Sequence, residues 1–370
     1  MANEFLTVKE IARATLPRLI DNLVMPNLVY KDYSNDFVAG KGAKIIVRKP
    51  NILKAEEFNE SAGVSMQDIK ENGVEVTLDK LATVDVELSA IQSATNIEDL
   101  QAQVLAPAAV ALAEKINADG LDLYSDIPYV GGTAGTTPSS LEDLAAVRKI
   151  LNENKAPVTD RAAIWDVESD AKFTTIPAIV NANKSGSTEA LRNGSIGRIF
   201  GLDNYMSQAV KTHKTGITAA TAVKVSAVVT EGATSLGLTG TTLTGKLVKG
   251  DILNISGKSY VVTEDSAAAA SNAIAAVKVY PALPALTANT EVVLAGSHTA
   301  NLAFHKQAFA FVTRPLTAPK GVESYTTSFN GISLRVVQGY NMQYKKDMLS
   351  IDVLYGYKTL YPELACRYLG

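Results

Sequence analysis

The chain holds one cysteine, Cys366, in 370 residues. That count excludes an internal disulfide framework and any multi-thiolate metal site. Histidine is nearly as scarce, occurring only at 213, 298 and 305. Catalysis needs convergent titratable groups, so this inventory argues against an enzyme. Long apolar runs are missing too. The most apolar helical stretch, 104–113, falls well below the ~20 residues that a bilayer requires. The opening Met1-Ala2-Asn3-Glu4-Phe5 lacks the basic patch and apolar run of a signal peptide. Neither sign of charge dominates: 35 Lys and Arg face 38 Asp and Glu, for a formal net charge of -3. A dedicated nucleic-acid binder needs a basic surplus to meet phosphates. What is present is globular composition, 46% hydrophobic and 20% charged, over a length that suggests about two or three structural units. The expectation is a soluble cytoplasmic protein without a membrane partner.

The clearest internal boundary is compositional. No arginine occurs between Arg198 and Arg314, and the 90 residues from 213 to 302 carry 11 charges against 62 in the other 280. This segment is rich in Thr, Val, Ala and Gly, with short alternating runs such as Val223-Lys224-Val225-Ser226 and Val277-Lys278-Val279-Tyr280. Glycines at 232, 237, 240, 245, 250 and 257 punctuate the runs at hairpin spacing. Residues 213–302 therefore read as a small all-β barrel or sandwich inserted into a host domain. Its plainest hairpin is Gly250-Asp251-Ile252-Leu253-Asn254-Ile255 followed by Lys258-Ser259-Tyr260-Val261-Val262.

The host is mixed. Thr7-x-x-Glu10 reads as a capping box opening a helix that Pro17 bends. Ile45-Ile46-Val47-Arg48, Val74-Glu75-Val76-Thr77-Leu78 and Val84-Asp85-Val86-Glu87-Leu88 have the period of strands with one buried face. Between the first two lies Pro50 to Gly73, charged and without periodicity, which reads as a projecting loop. Thr95-x-x-Glu98 opens the longest helical pattern, 96–124, with a kink expected at Pro107. Gly131 to Pro138 reads as a flexible linker, and Ser139-x-x-Glu142 as the cap of a further helix. Ala162-Ala163-Ile164-Trp165-Asp166-Val167 reads as a buried strand, and the tail from Gly331 to Gly370 as strand-like.

Chemistry is hard to find in this pattern. His213 and His298 flank the inserted segment and could approach at its neck, but no third metal ligand is indicated. Cys366, in an apolar terminal strand, reads as a buried small hydrophobe. Gly194-Ser195-Ile196-Gly197-Arg198-Ile199-Phe200-Gly201 is neither G-x-G-x-x-G nor a P-loop, and its glycines suit turns. No catalytic, cofactor-binding or metal site is expected, and no cofactor.

The order of parts carries more: amphipathic N-terminal helix, projecting hairpin, long kinked helix, mixed domain, inserted β-domain, return to strands. It resembles the major capsid proteins of tailed bacteriophages with the Hong Kong 97 fold, and more narrowly the coat proteins of short-tailed Salmonella-type phages that carry an inserted β-domain. Asn193 to Tyr205 looks like that family's strand before the insertion, Asn301 to Ala310 like the strand resuming after it, and Asp352 to Lys358 with Pro362 to Arg367 like its closing segment. The resemblance implies an α+β capsid fold. It places the N-terminal arm at 1–32, the extended loop at 33–90 with its tip at 50–73, and a peripheral domain at 91–160 and 340–370. The axial domain would be 161–212 with 303–339, and the insertion 213–302.

It further implies a structural, non-enzymatic subunit that assembles into hexamers and pentamers of an icosahedral shell. The shell would enclose double-stranded DNA without reading its sequence, with scaffolding and portal proteins as partners, and would be built in the host bacterial cytoplasm. Contacts between subunits are expected from Lys54, Glu56, Glu57, Glu60, Asp68, Lys70 and Glu71 at the loop tip, and from Arg13, Arg18 and Asp21 of the arm. Two other readings stay open. One is an encapsulin-like compartment around a cargo protein; the other is a secreted β-rich surface or adhesion protein.

Overall fold

The structure is a computed structural model that describes residues 8–31, 44–49, 66, 72–89, 106–186, 188–319, 321–329, 331–341 and 346–370. The chain divides into two compact units, one formed by 1–16, 31–105 and 310–360, the other by 17–30, 106–309 and 361–370.

The first unit is organised by a long strand, Lys346–Thr359, in a five-stranded sheet. It pairs antiparallel with Ile332–Asn341 on one side and with Lys80–Ser89 on the other. Glu323–Phe329 extends the sheet beyond Ile332–Asn341. Leu349, Ile351, Val353 and Tyr355 are buried at a spacing of two, as are Ile332, Leu334 and Val336 opposite. That alternation fixes the register, because a one-residue slip would turn both apolar rows outward. Arg335 and Asp352 sit directly across the pair, and the Arg335 Nε donates to Asp352 Oδ2 at 2.9 Å. A Cβ at Gly356 would overlap the Thr77 carbonyl, so glycine is what lets the chain at Thr77 lie against the strand.

The second unit contains a seven-stranded mixed sheet in the order Val130–Gly132, Ala365–Leu369, His298–His305, Arg161–Trp165, Leu202–Met206, Arg198–Ile199. Thr212–His213 pairs separately with His298 and Thr299. All five residues of Arg161–Trp165 are buried, as the unbroken apolar run predicts. Trp165 packs edge-on against Phe173 and Tyr368, at ring separations of 4.9 and 5.9 Å, and its indole Nε1 donates to Asn204 Oδ1 at 3.0 Å.

Between Thr212–His213 and His298–His305 the chain forms a second sheet, of six strands spanning 224–294, and a two-stranded ribbon of Ile217–Thr221 with Thr242–Gly245. The expected hairpin is present, with Ile252 opposite Val261 and Ile255 opposite Lys258. Its turn, Ser256-Gly257, has φ of 52° and 78°, the paired positive values of a tight two-residue hairpin. Seventeen buried residues between Val223 and Val292 make a hydrophobic cluster drawn from this stretch alone.

Four expectations are corrected. Gly131 and Gly132 belong to a strand, not a flexible linker: Val130–Gly132 runs parallel to Ala365–Leu369. A Cβ on Gly131 would come within 3.0 Å of the Tyr368 ring, so the glycines serve close approach rather than freedom. The helix cap lies one residue later than read. Helix Leu141–Glu153 is capped by Ser140, whose Oγ accepts from the Asp143 N–H at 3.3 Å while Asp143 Oδ2 accepts from the Ser140 N–H at 2.9 Å. The long helix is described as Ala106–Leu121 and tightens into a 3-10 turn over Asp122–Asp126, so its α-helical part stops at 121 rather than 124. Thr7 and the box at Thr95 and Glu98 lie outside the described residues, and Pro107 stands at their edge. Lastly, the host strand resumes at His298, so the strands of the inserted stretch end at Leu294 rather than 302.

The cap correction is directly testable. Ser140→Ala should lower the unfolding free energy by about 1 kcal/mol. Ser139→Ala, at an exposed side chain, should stay within about 0.5 kcal/mol of the parent in urea melts.

Candidate functional site

The loop-tip residues Lys54, Glu56, Glu57, Glu60, Asp68, Lys70 and Glu71 lie outside the described residues. Their supports are described. Lys44–Lys49 pairs antiparallel with Asn72–Thr77, from Lys44 opposite Thr77 to Lys49 opposite Asn72. The two ends of segment 50–71 thus start side by side, about 5 Å apart. Asn72 and Gly73 belong to the strand, which shortens the expected tip of 50–73. Val47 and Val76 are buried, while Ile46 is 70% exposed on the arm and Met66 is 93% exposed. The arm also carries a Lys44–Glu75 ion pair.

On the N-terminal helix Val8–Asn22, Arg13 is exposed and Arg18 half-buried; the Asp21 side chain is outside the described ones. The residue that anchors the end of this segment is one the sequence did not flag. Asn117 on the long helix accepts through Oδ1 from the Val24 and Met25 N–H groups at 3.0 and 3.1 Å, and its Nδ2 donates to the Asn22 carbonyl at 3.0 Å. A buried Asn on an apolar helix face is the only sequence signal for it.

The histidines expected to approach do meet. His213 and His298 are cross-strand partners with ring centroids 5.4 Å apart. They belong to a buried polar cluster whose centre is Arg367, on the C-terminal strand and 0% exposed. Arg367 Nη1 donates to the Gly250 carbonyl at 2.6 Å, and Nη2 to His298 Nε2 at 2.6 Å. The guanidinium lies 4.5 Å from the centroid of the Tyr124 ring, and Nε has no hydrogen-bond partner among the described residues. His298 Nε2 is therefore an acceptor, which leaves the proton on Nδ1 to donate to the Gly296 carbonyl at 2.6 Å. His213 Nε2 donates to Asp251 Oδ1 at 2.9 Å, and Nδ1 meets the Tyr124 hydroxyl at 3.1 Å. Asp251 Oδ2 accepts from the Val248 N–H at 2.8 Å. Each imidazole nitrogen is committed to a hydrogen bond.

Electrostatically the cluster sets one cation, Arg367, near one carboxylate, Asp251, with the two imidazoles and the Tyr124 ring around them. Burial lowers the Arg367 pKa to about 10 and raises that of neighbouring Cys366 to about 12. Burial also lowers His298, to about 4, reinforced by the Arg367 charge. A thiol at about 12 is protonated at neutral pH, so Cys366 packs rather than reacts. The arrangement is suited to holding elements together, not to turning over a substrate.

No protein-family model matches the chain, and no curated protein matches it. Solved structures do. A chain from Mycobacterium phage Che8 is similar over 100% of this chain and 94% of its own, at 16% identity and a TM-score of 0.55. This is the α+β Hong Kong 97 fold. Two further structures, the capsid of Cyanophage P-SCSP1u and the mature capsid of bacteriophage PhiM1, each cover 89% of this chain. They match over 84% and 82% of their own lengths, at 12% and 9% identity and TM-scores of 0.49 and 0.47.

Removing the cluster's carboxylate should be costly, because it leaves Arg367 uncompensated in a dry site. Asp251→Asn should destabilise the protein by about 3–5 kcal/mol in chemical denaturation. Glu264→Gln, which breaks a surface pair with Lys278 at side chains about 60% exposed, should cost no more than about 1 kcal/mol.

Proposed function

We propose that this chain is the major capsid subunit of a tailed phage or prophage, a structural protein that assembles into a closed icosahedral shell around double-stranded DNA. The observation that carries the reading is the likeness of fold to the Mycobacterium phage Che8 chain, spanning this protein from end to end. A structural role also suits the buried cluster, which ties strands together. Its partners would be copies of itself, with scaffolding and portal proteins during assembly in the host cytoplasm.

Within the subunit we assign 1–32 to the N-terminal arm, 33–90 to the extended loop, 91–160 with 340–370 to the peripheral domain, and 161–212 with 303–339 to the axial domain. The insertion would run from 213 to the end of its last strand at Leu294, ahead of the host strand His298–His305. The separate hydrophobic cluster of 223–292 supports the insertion, and the paired arms at 44–49 and 72–77 support a loop that projects. The arm's Arg13, Arg18 and Asp21 and the loop's Lys54, Glu56, Glu57, Glu60, Asp68, Lys70 and Glu71 would make the contacts with neighbouring copies. An exposed ion pair contributes only ~0–1 kcal/mol, but its repetition in every copy of a shell makes the sum decisive.

Sedimentation and negative-stain microscopy of the purified protein should reveal rings or closed shells at high concentration, and a strictly monomeric species would overturn the assignment. Reversing Glu56 and Glu57 to lysine should leave a soluble subunit whose stability changes by only about 0.5 kcal/mol, while its shells fail or break more easily. Unfolding of that double variant as a monomer would instead place the loop in the subunit core.

A further inference from the structure

We propose that the cluster of Arg367, His298, His213, Asp251 and Tyr124 is an acid-opened latch, in which protonation of His298 releases the turn at 248–251 from the C-terminal strand Ala365–Leu369. The proposal concerns the subunit alone and does not depend on shell assembly.

The geometry permits only the neutral form of His298. Its Nε2 accepts from Arg367 Nη2 and its Nδ1 donates to the Gly296 carbonyl, each at 2.6 Å. A second ring proton would set two donors and two cations face to face at that distance, in a site closed to water. The surrounding groups do not offset this. Arg367 approaches from the C-terminal strand, His213 from its paired strand, and Tyr124 from the 3-10 turn. Asp251, before strand Ile252–Ile255, is the carboxylate of the cluster, and its two oxygens are engaged by His213 and the Val248 N–H. At the margin, Asp122 is paired with Lys211 and Asp126 with Lys249.

Opening should fall on the turn rather than on the strand. Ala365–Leu369 is hydrogen-bonded on both sides, to Val130–Gly132 and to His298–His305. The turn is held to the strand through one carbonyl, that of Gly250, which accepts from the same guanidinium that binds His298. Gly250, at φ of 93°, leaves room for nothing larger, since a Cβ there would lie 3.0 Å from Ser125 and 3.3 Å from the His213 ring. When the guanidinium turns away from a protonated His298, that carbonyl loses its donor as well.

The sign follows from the shift. Burial, and then Arg367, lowers the His298 pKa from 6.5 to about 4 in the closed form. The open form binds the proton more tightly, so closure is fully favoured above 6.5 and is lost progressively as pH falls toward 4.

Hydrogen exchange on the dispersed full-length subunit, corrected for intrinsic rates, tests this. Between pH 7 and pH 5 the opening constant for the Arg367 Nη protons, which bond across the latch to Gly250 and His298, should rise about 20-fold. Amides of Arg161–Trp165, in the same unit, should not change, which separates local opening from unfolding of that unit. His298→Gln keeps an acceptor for Arg367 but cannot titrate, so exchange of the Nη protons should be flat over the same range. Equal protection of those protons in the wild type at both pH values, or the same rise in the glutamine variant, would overturn the latch. Should that variant fail to fold, an NMR titration of the wild-type ring decides: a His298 pKa near 4 supports the latch, and one at or above 6.5 refutes it.

Discussion

The second unit depends on one strand, His298–His305, buried at seven of its eight positions. It carries the C-terminal strand on one side, Arg161–Trp165 on the other, and Thr212–His213 at its start. A strand paired along both edges must be apolar on both faces, and Asn301-Leu302-Ala303-Phe304 meets that demand with one polar exception. That exception is used: Asn301 Oδ1 accepts from the Asp166 N–H at 2.8 Å, at the entry to the next helix. Because His213 and His298 are paired, the chain leaves and re-enters the sheet at neighbouring points. Eighty-odd residues can then be carried there without disturbing the host's register.

The same junction explains why a fully buried arginine is tolerated. Taking a guanidinium out of water costs several kcal/mol unless its donors and charge are matched. Here two donors and the ring face are matched by groups from the inserted stretch, the central strand and the 3-10 turn, and the charge by Asp251. Apolar packing could supply equal stability, but it would not dictate which turn meets which strand. The polar cluster fixes that docking geometry, and its sensitivity to acid follows from the same lack of water.

Local signals were legible where local chemistry determines structure. The hairpin at 252–262, the arms at 44–49 and 72–77 and the buried run at 161–165 all follow from alternation, turn residues or unbroken hydrophobicity. Long-range partners were not. Gly131-Gly132 has the composition of a linker, and only the Tyr368 ring 236 residues further on makes those glycines a strand. The cap read at Ser139 lies at Ser140 instead. The choice falls to Ser140 because Asp143, which closes the box with it, also accepts from the Tyr368 hydroxyl at 2.6 Å. The tail reads as strand-like, yet Lys346–Thr359 and Ala365–Leu369 enter different units on either side of the 3-10 turn Pro362–Leu364. Asn117 and Arg367 each bind residues about a hundred positions away, which no spacing rule could reveal.

The helix of the N-terminal arm buries Ile11, Leu16 and Leu19, whereas the charged segment 50–71 has little apolar periodicity with which to join a core. Contacts of that segment are then supplied by other copies in the proposed capsid. Hydrogen exchange compared between dispersed subunits and assembled particles tests this most directly. The account predicts that protection of residues 50–71 rises on assembly while that of His298–His305 and Ala365–Leu369 stays the same. Equal protection of 50–71 in both states would contradict it.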